Sequence, residues 1–196
     1  AITTLPVAVL VSRVVAPLLR EVGVRWADGR LAIAQERLVS SLLRARLMSV
    51  LTQHPGAARP RVLFATLPGE PHELGLLGAG LHAHDAGASV LYLGTGLPAE
   101  ELATVASRLD AAAVAVSSID PGHAPQALAG MRALDAALEP HVPVWLGGGN
   151  ARYLVEAVAS PRIQAVIDPM SLAALIRRCA SARRPLRTRR PGTTAD

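Results

Sequence analysis

The chain has 196 residues, 51% of them hydrophobic, which is enough for one sizeable core with a small appendage, and it contains no apolar stretch long enough to span a bilayer without a charge or proline. Its single cysteine, Cys179, excludes an internal disulfide and a cysteine-rich metal site. The net charge of +5 belongs to the C-terminus, since residues 1–170 hold 13 Arg against 14 acids and residues 171–196 hold 7 Arg against one acid, which argues against a nucleic-acid-binding surface on the body of the protein.

Residues 1–54 read as a short helical bundle, with apolar residues at three- and four-residue steps from Leu31 to Leu51. Pro17 is expected to kink or split the first helix, and Gly23 to Gly29 reads as a connection. The stretch Leu5 to Val15 is too short for a membrane span, and no basic segment precedes it as in a signal peptide. The chain therefore reads as a cytoplasmic protein with no membrane partner. So few helices form a thin bundle, and the missing initiator methionine fits a fragment of a larger protein. His54 to Pro60 is a linker by composition.

From residue 61 onward, five aliphatic runs alternate with amphipathic helical segments. The runs are Arg61–Thr66, Ser89–Leu93, Ala112–Ser117, Pro143–Leu146 and Gln164–Ile167, with helices expected over 71–86, 98–109, 123–138, 151–159 and 169–182. Near-continuous apolar strands suit a parallel sheet covered on both faces. The expected fold is therefore α/β, a flavodoxin-like, doubly wound, five-stranded parallel sheet over 61–182, preceded by the helical bundle. Such sheets bind ligands beyond the carboxyl ends of their strands at the topological switch point. The arginine-rich residues 183–196 read as a solvated, disordered tail.

Three short signatures fall at those strand ends. Glu70-Pro71-His72-Glu73-Leu74-Gly75 follows the first strand, and 41 residues (76–116) separate it from Ser117-Ser118-Ile119; a further 27 (120–146) lead to Gly147-Gly148. Taken singly, each has a plain explanation as a loop histidine beside an acid, a strand-end serine, and turn glycines. A carboxylate two residues from a histidine can hold one ring nitrogen and leave the other basic and free for a metal. The remaining histidines lack metal spacing; His82 and His84, at i and i+2, lie on different helix faces and read as surface or packing residues. No phosphate-binding loop or dinucleotide fingerprint is present.

Together the signatures resemble the cobalamin-binding domain family, whose pattern runs acidic-x-His-x-x-Gly, Ser-x-aliphatic and Gly-Gly at similar separations. The resemblance implies that His72 is the lower axial ligand of cobalt, displacing the cofactor's own benzimidazole, with Glu70 as its carboxylate partner. It further implies that Gly75 gives clearance to the corrin ring, that Ser117 and Ile119 border the buried base, and that Gly147 and Gly148 leave a slot for the nucleotide tail.

The helical segment has a second resemblance, to light-responsive, adenosylcobalamin-dependent regulators of the MerR type, which show Trp, nine residues, then Glu-His. Here Trp26 is followed by nine residues (27–35) and then Glu36-Arg37. The resemblance implies a bundle capping the upper face of cobalamin, with Trp26 packing the upper ligand, Glu36 accepting hydrogen bonds from it, and Arg37 standing where those regulators have histidine. From the residues alone, Trp26 as a core aromatic and Glu36 as a surface charge remain the alternative.

The reading is thus a non-enzymatic, homo-oligomeric sensory module binding adenosylcobalamin, or else methylcobalamin or hydroxocobalamin, and reaching DNA only through a domain outside this chain. The rival reading is a corrinoid carrier domain of a methyltransferase or mutase system.

Overall fold

The computed structural model describes residues 7–52 and 60–182; the proposed linker, apart from Pro60, and the basic tail lie outside them. Five strands, β1 (Arg61–Ala65), β2 (Ser89–Gly94), β3 (Ala113–Ser117), β4 (Val144–Gly147) and β5 (Ile163–Ala165), pair in parallel in the order β2-β1-β3-β4-β5. The N-terminal helices are α1 (Val7–Leu10), α2 (Ala16–Ala27) and α3 (Ile33–Thr52). Those woven through the sheet are α4 (Leu74–Asp85), α5 (Ala99–Arg108), α6 (Ala124–Ala137), α7 (Ala151–Val158) and α8 (Pro169–Ala182). This is the expected flavodoxin-like topology. Strand order reverses between β1 and β3, so the loops after these strands flank the switch point.

Strand pleating sends alternate residues to opposite faces. Leu63, Ala65, Val114, Val116, Val144 and Leu146 pack on one face with α5, α6 and α7. On the other, Val62, Phe64, Ala113, Ala115 and Trp145 meet α4 and α8. A third cluster joins Leu10, Val11, Val15, Leu47 and Leu51 of the N-terminal helices to Leu77 and Leu81 of α4. Helix α4 is therefore covered on two sides, which explains why its sequence is apolar nearly all round.

The first helical stretch is irregular where expected. Residues Val11–Val15 form a π-turn, with the amide of Ala16 bonding the carbonyl of Val11, just before Pro17, which has no amide hydrogen to continue the ladder. The expected connection at Gly23 to Gly29 begins later. Helix α2 continues through Gly23 to Ala27, and Asp28–Ala32 makes the turn, because only Gly29 takes a left-handed φ of +67° while the amide of Asp28 closes on Val24. The fifth strand is also offset from the expected run, at Ile163–Ala165. Among the described residues, no helix is long and apolar enough to cross a membrane.

Leu77 has no exposed surface and sits where α4 receives the N-terminal helices. Leu77→Ala is expected to lower unfolding stability by about 2–5 kcal/mol, whereas Leu42→Ala, at an exposed position of α3, should change it by less than about 0.5 kcal/mol. Urea denaturation followed by circular dichroism measures both.

Candidate functional site

The site is built from three loops at the carboxyl edge of the sheet. After β1, buried Thr66 closes the first loop on itself: its hydroxyl donates to the carbonyl of Glu70 at 2.7 Å and accepts from the amide of Gly96 at 3.1 Å. This delivers Glu70, only 4% exposed, to the interior. Its Oε1 accepts from the amide of His72 at 3.1 Å and lies 2.5 Å from His72 Nδ1. Its Oε2 accepts from the amides of Ile119 at 2.5 Å and Asp120 at 3.2 Å.

Burial raises the affinity of Glu70 for a proton, but the amide of Ile119, the His72 ring and the amides of Asp120 and His72 together outweigh it and hold the carboxyl below its usual value. An ionised carboxylate can only accept, so Nδ1 of His72 carries a hydrogen, and in the neutral ring the lone pair is then on Nε2. The His72 side chain is 52% exposed, and Nε2 has no partner among the described residues. A basic ring nitrogen held in one tautomer and open to approach is a metal ligand in waiting. Among the described residues, no group of three or more His, Cys, Asp or Glu side chains forms a metal cage. One imidazole suits a metal whose other ligands come from elsewhere.

The second loop, after β3, is clamped from its other side by the third. Asn150 donates from Nδ2 to the Ser118 hydroxyl at 3.1 Å and to the carbonyl of Asp120 at 2.8 Å, and its amide bonds the carbonyl of Ser118. Gly148 permits this approach: its φ is +95°, and a Cβ there would lie 2.2 Å from the Ser118 carbonyl oxygen. Gly75 is different. A Cβ at Gly75 would meet only Ile119 Cδ1 at 3.8 Å, so the protein itself does not require glycine there. The space it leaves opens on a cavity of about 460 Å³.

Gly75, Ser117, Ile119, Gly147 and Gly148 all line that cavity, which continues between α4, α8 and the sheet past Phe64, Ala79, Trp145 and Leu172, with Val11 and Val15 covering it. Ser117, only 6% exposed, ends β3 against this cavity. Together, a free imidazole nitrogen, an open glycine and an adjoining apolar cavity fit a large planar metal macrocycle with an appended arm.

The upper-face candidates lie on the N-terminal helices, outside this cavity. Trp26 is 54% exposed near the end of α2, so it is not a core aromatic. Glu36 is half-buried; its Oε1 accepts from the Ser40 hydroxyl at 2.6 Å, and exposed Arg37 lies 3.8 Å from Oε2. Glu36, Ser40 and Arg44 follow at four-residue steps along one face of α3. Arg44 Nε lies 2.8 Å from Glu73 Oε1, beside His72 in sequence, and Glu73 Oε2 accepts from the Tyr92 hydroxyl at 2.7 Å. Glu36 is two turns, about 12 Å, further along.

Sequence reasoning missed Thr66, Asn150 and the Arg44–Glu73–Tyr92 bridge. A buried threonine at a strand end and an asparagine opening a helix after three glycines were the only signals. His82, read as a packing residue, is half-buried and lines the cavity.

Comparison with known proteins agrees with this chemistry. The B12 binding domain model matches residues 60–170, and a second B12 binding domain model matches residues 1–50. The chain is 39% identical over 151 residues to the HTH-type transcriptional repressor CarH of Myxococcus xanthus, covering 77% of this chain and 50% of that protein. It is 38% identical over 147 residues to CarA, an HTH-type transcriptional repressor of the same organism, covering 74% and 48%. The chain thus spans about half the length of these two repressors. Among solved structures, the monomethylamine corrinoid protein of Methanosarcina barkeri shares the fold, with TM-score 0.65 at 13% identity over 88% of this chain and 84% of that one. With a matching family model over more than half its length and with the imidazole, glycine and cavity in place, the chain belongs to the B12-binding domain family.

Proposed function

We propose that the chain is the cobalamin-binding sensory module of a light-responsive, MerR-like transcriptional regulator of the cytoplasm. The observation that carries the cobalamin half is the Glu70-held His72 with its free Nε2 beside the open face of Gly75. His72 is the lower axial ligand, and the cavity from Ser117 to Leu172 takes the displaced nucleotide tail. Adenosylcobalamin, the proposed form, supplies a cobalt–carbon bond that light can break. Residues 1–54 cap the upper face, where Trp26 packs against the upper ligand, Glu36 accepts its hydrogen bonds and Arg37 lies at the edge.

The regulatory half rests on identity to two transcriptional repressors and on the helical segment, which carries exposed Trp26, Val24, Ile33, Leu38 and Leu42. Such a surface suits a homo-oligomer whose packing changes with the upper ligand, a shift between two assemblies. DNA contact belongs to a part of the protein outside this chain. A corrinoid carrier shares the fold over 88% of this chain, N-terminal helices in part included, so identity to the two repressors is what favours the regulator.

Reconstitution with adenosylcobalamin in the dark, followed by green light, tests the reading through absorbance and size-exclusion chromatography. The expected result is a dark spectrum of histidine-ligated cobalt and an elution shift on illumination. An unchanged elution volume removes the light-sensing mechanism, and rapid methyl exchange with a corrinoid methyltransferase partner favours the carrier. His72→Ala should lower affinity by about 10–100-fold and abolish the histidine-ligated spectrum.

Glu70→Gln should act almost as strongly. The amides of Ile119 and Asp120 will claim the Gln oxygen, turning its NH2 toward His72 Nδ1; the ring then keeps its hydrogen on Nε2 and cannot ligate. The same pair gives a pH signature. Because the folded-state value of Glu70 is depressed, its contribution to stability is present above its ordinary value of 4.5 and is lost as pH falls through the folded value. The stability gap between wild type and Glu70→Gln, read from urea midpoints, should be widest above pH 4.5 and close below it.

A further inference from the structure

The interior of the cavity holds few hydrogen-bonding groups. Ser12, Arg20 and Asp168 are exposed at its rim, and the Asp168 carboxylate is engaged by the amide of Ser171 at 2.7 Å. Deeper, the polar side chains are the buried Ser117 hydroxyl and the half-buried His82 ring. Gly75, which adjoins the Ser117 loop through Ile119, and His82 are two turns of α4 apart, about 10 Å. The remaining side chains of the wall are hydrocarbon and aromatic, Phe64, Ala79, Ala115, Trp145 and Leu172 among them, and backbone carbonyls of Val116 and Val166 come near it at Gly147.

We propose that this cavity selects corrinoids by their lower base, accepting a benzimidazole-type base and disfavouring a purine. The inference rests on reading the cavity as the site of the displaced nucleotide tail. A benzimidazole released from cobalt has one free ring nitrogen, which a single hydroxyl satisfies, and the rest of its edge is hydrocarbon that gains from burial. An adenine of similar outline adds two ring nitrogens and an exocyclic amine. With one nitrogen at Ser117 and at most one further group at His82, the purine leaves polar atoms buried without partners, which is unfavourable. Apolar pockets discriminate against polar isosteres on the order of 10²-fold.

The test uses the full chain in the dark and three adenosyl corrinoids: cobalamin, a cobamide with adenine as lower base, and cobinamide, which has no nucleotide tail. Dissociation constants come from absorbance titration, each corrected for the fraction of that corrinoid already free of its own base in the same buffer. The expected result is cobalamin about 10–100-fold tighter than the adenine cobamide. Ala79→Ser, which adds a hydroxyl to the wall, should narrow that ratio severalfold. Equal corrected affinities for cobalamin and the adenine cobamide, both above cobinamide, overturn the selectivity while the tail reading stands. An unchanged ratio in Ala79→Ser counts against this wall as its source. Cobinamide binding as tightly as cobalamin overturns the tail reading and the selectivity with it.

Discussion

A carboxylate removed from water must find donors for both of its oxygens, and Glu70 finds four: the His72 ring, and the amides of His72, Ile119 and Asp120. That requirement organises the site. Two of the donors lie in the loop after β3, on the other side of the switch point from the β1 loop that carries Glu70. A single side chain therefore fixes the tautomer of the imidazole and joins the two loops between which a ligand must sit. Glu70 holds Nδ1 of His72 with one oxygen and the loop after β3 with the other, so the orientation of the imidazole and the assembly of the crevice depend on one side chain.

The loop after β3 is gripped from the opposite side by Asn150, through the Ser118 hydroxyl and the Asp120 carbonyl. Its backbone is thus held by the other two loops without reliance on a ligand, and the cavity behind it is largely preformed. This separates the glycines by cause. Gly148 is required by protein packing, since any Cβ would strike the Ser118 carbonyl, whereas no contact among the described residues requires Gly75. A position whose smallness the fold does not use is space kept for something else, and here it adjoins the free imidazole and the cavity.

The sheet and its order were legible because the central strands are apolar on both faces and the intervening helices carry a clear period; β1 and β3 are buried along nearly their whole length. The three signatures were legible because topology places strand ends together. What was not legible is the reach of Glu70 to amides 49 and 50 residues away, or the clasp of Asn150 on Ser118. Such bonds join side chains to loop backbone and leave no periodic trace. Gly23 misled for a related reason: glycine permits a turn without dictating one, and α2 passes straight through it to Ala27, before the turn at Gly29.

The attachment of the N-terminal helices is graded along α3. At its lower end Leu47 and Leu51 are buried against Leu77 and Leu81, a hydrocarbon contact that does not depend on charge. One turn above Leu47 comes Arg44, whose half-exposed ion pair with Glu73 contributes at most about 1 kcal/mol. Above that, from Ile33 to Leu43, no α3 side chain is buried, and α2 has none at all. Stabilisation thus falls from the apolar foot to the exposed end that carries Glu36 and follows the Asp28–Ala32 turn. A group bound against that end would supply contacts the polypeptide lacks there, and its loss would leave the foot seated while releasing the upper part. The Arg44–Glu73 pair stands at the boundary between these regions and ties α3 to the loop that holds His72, one residue away.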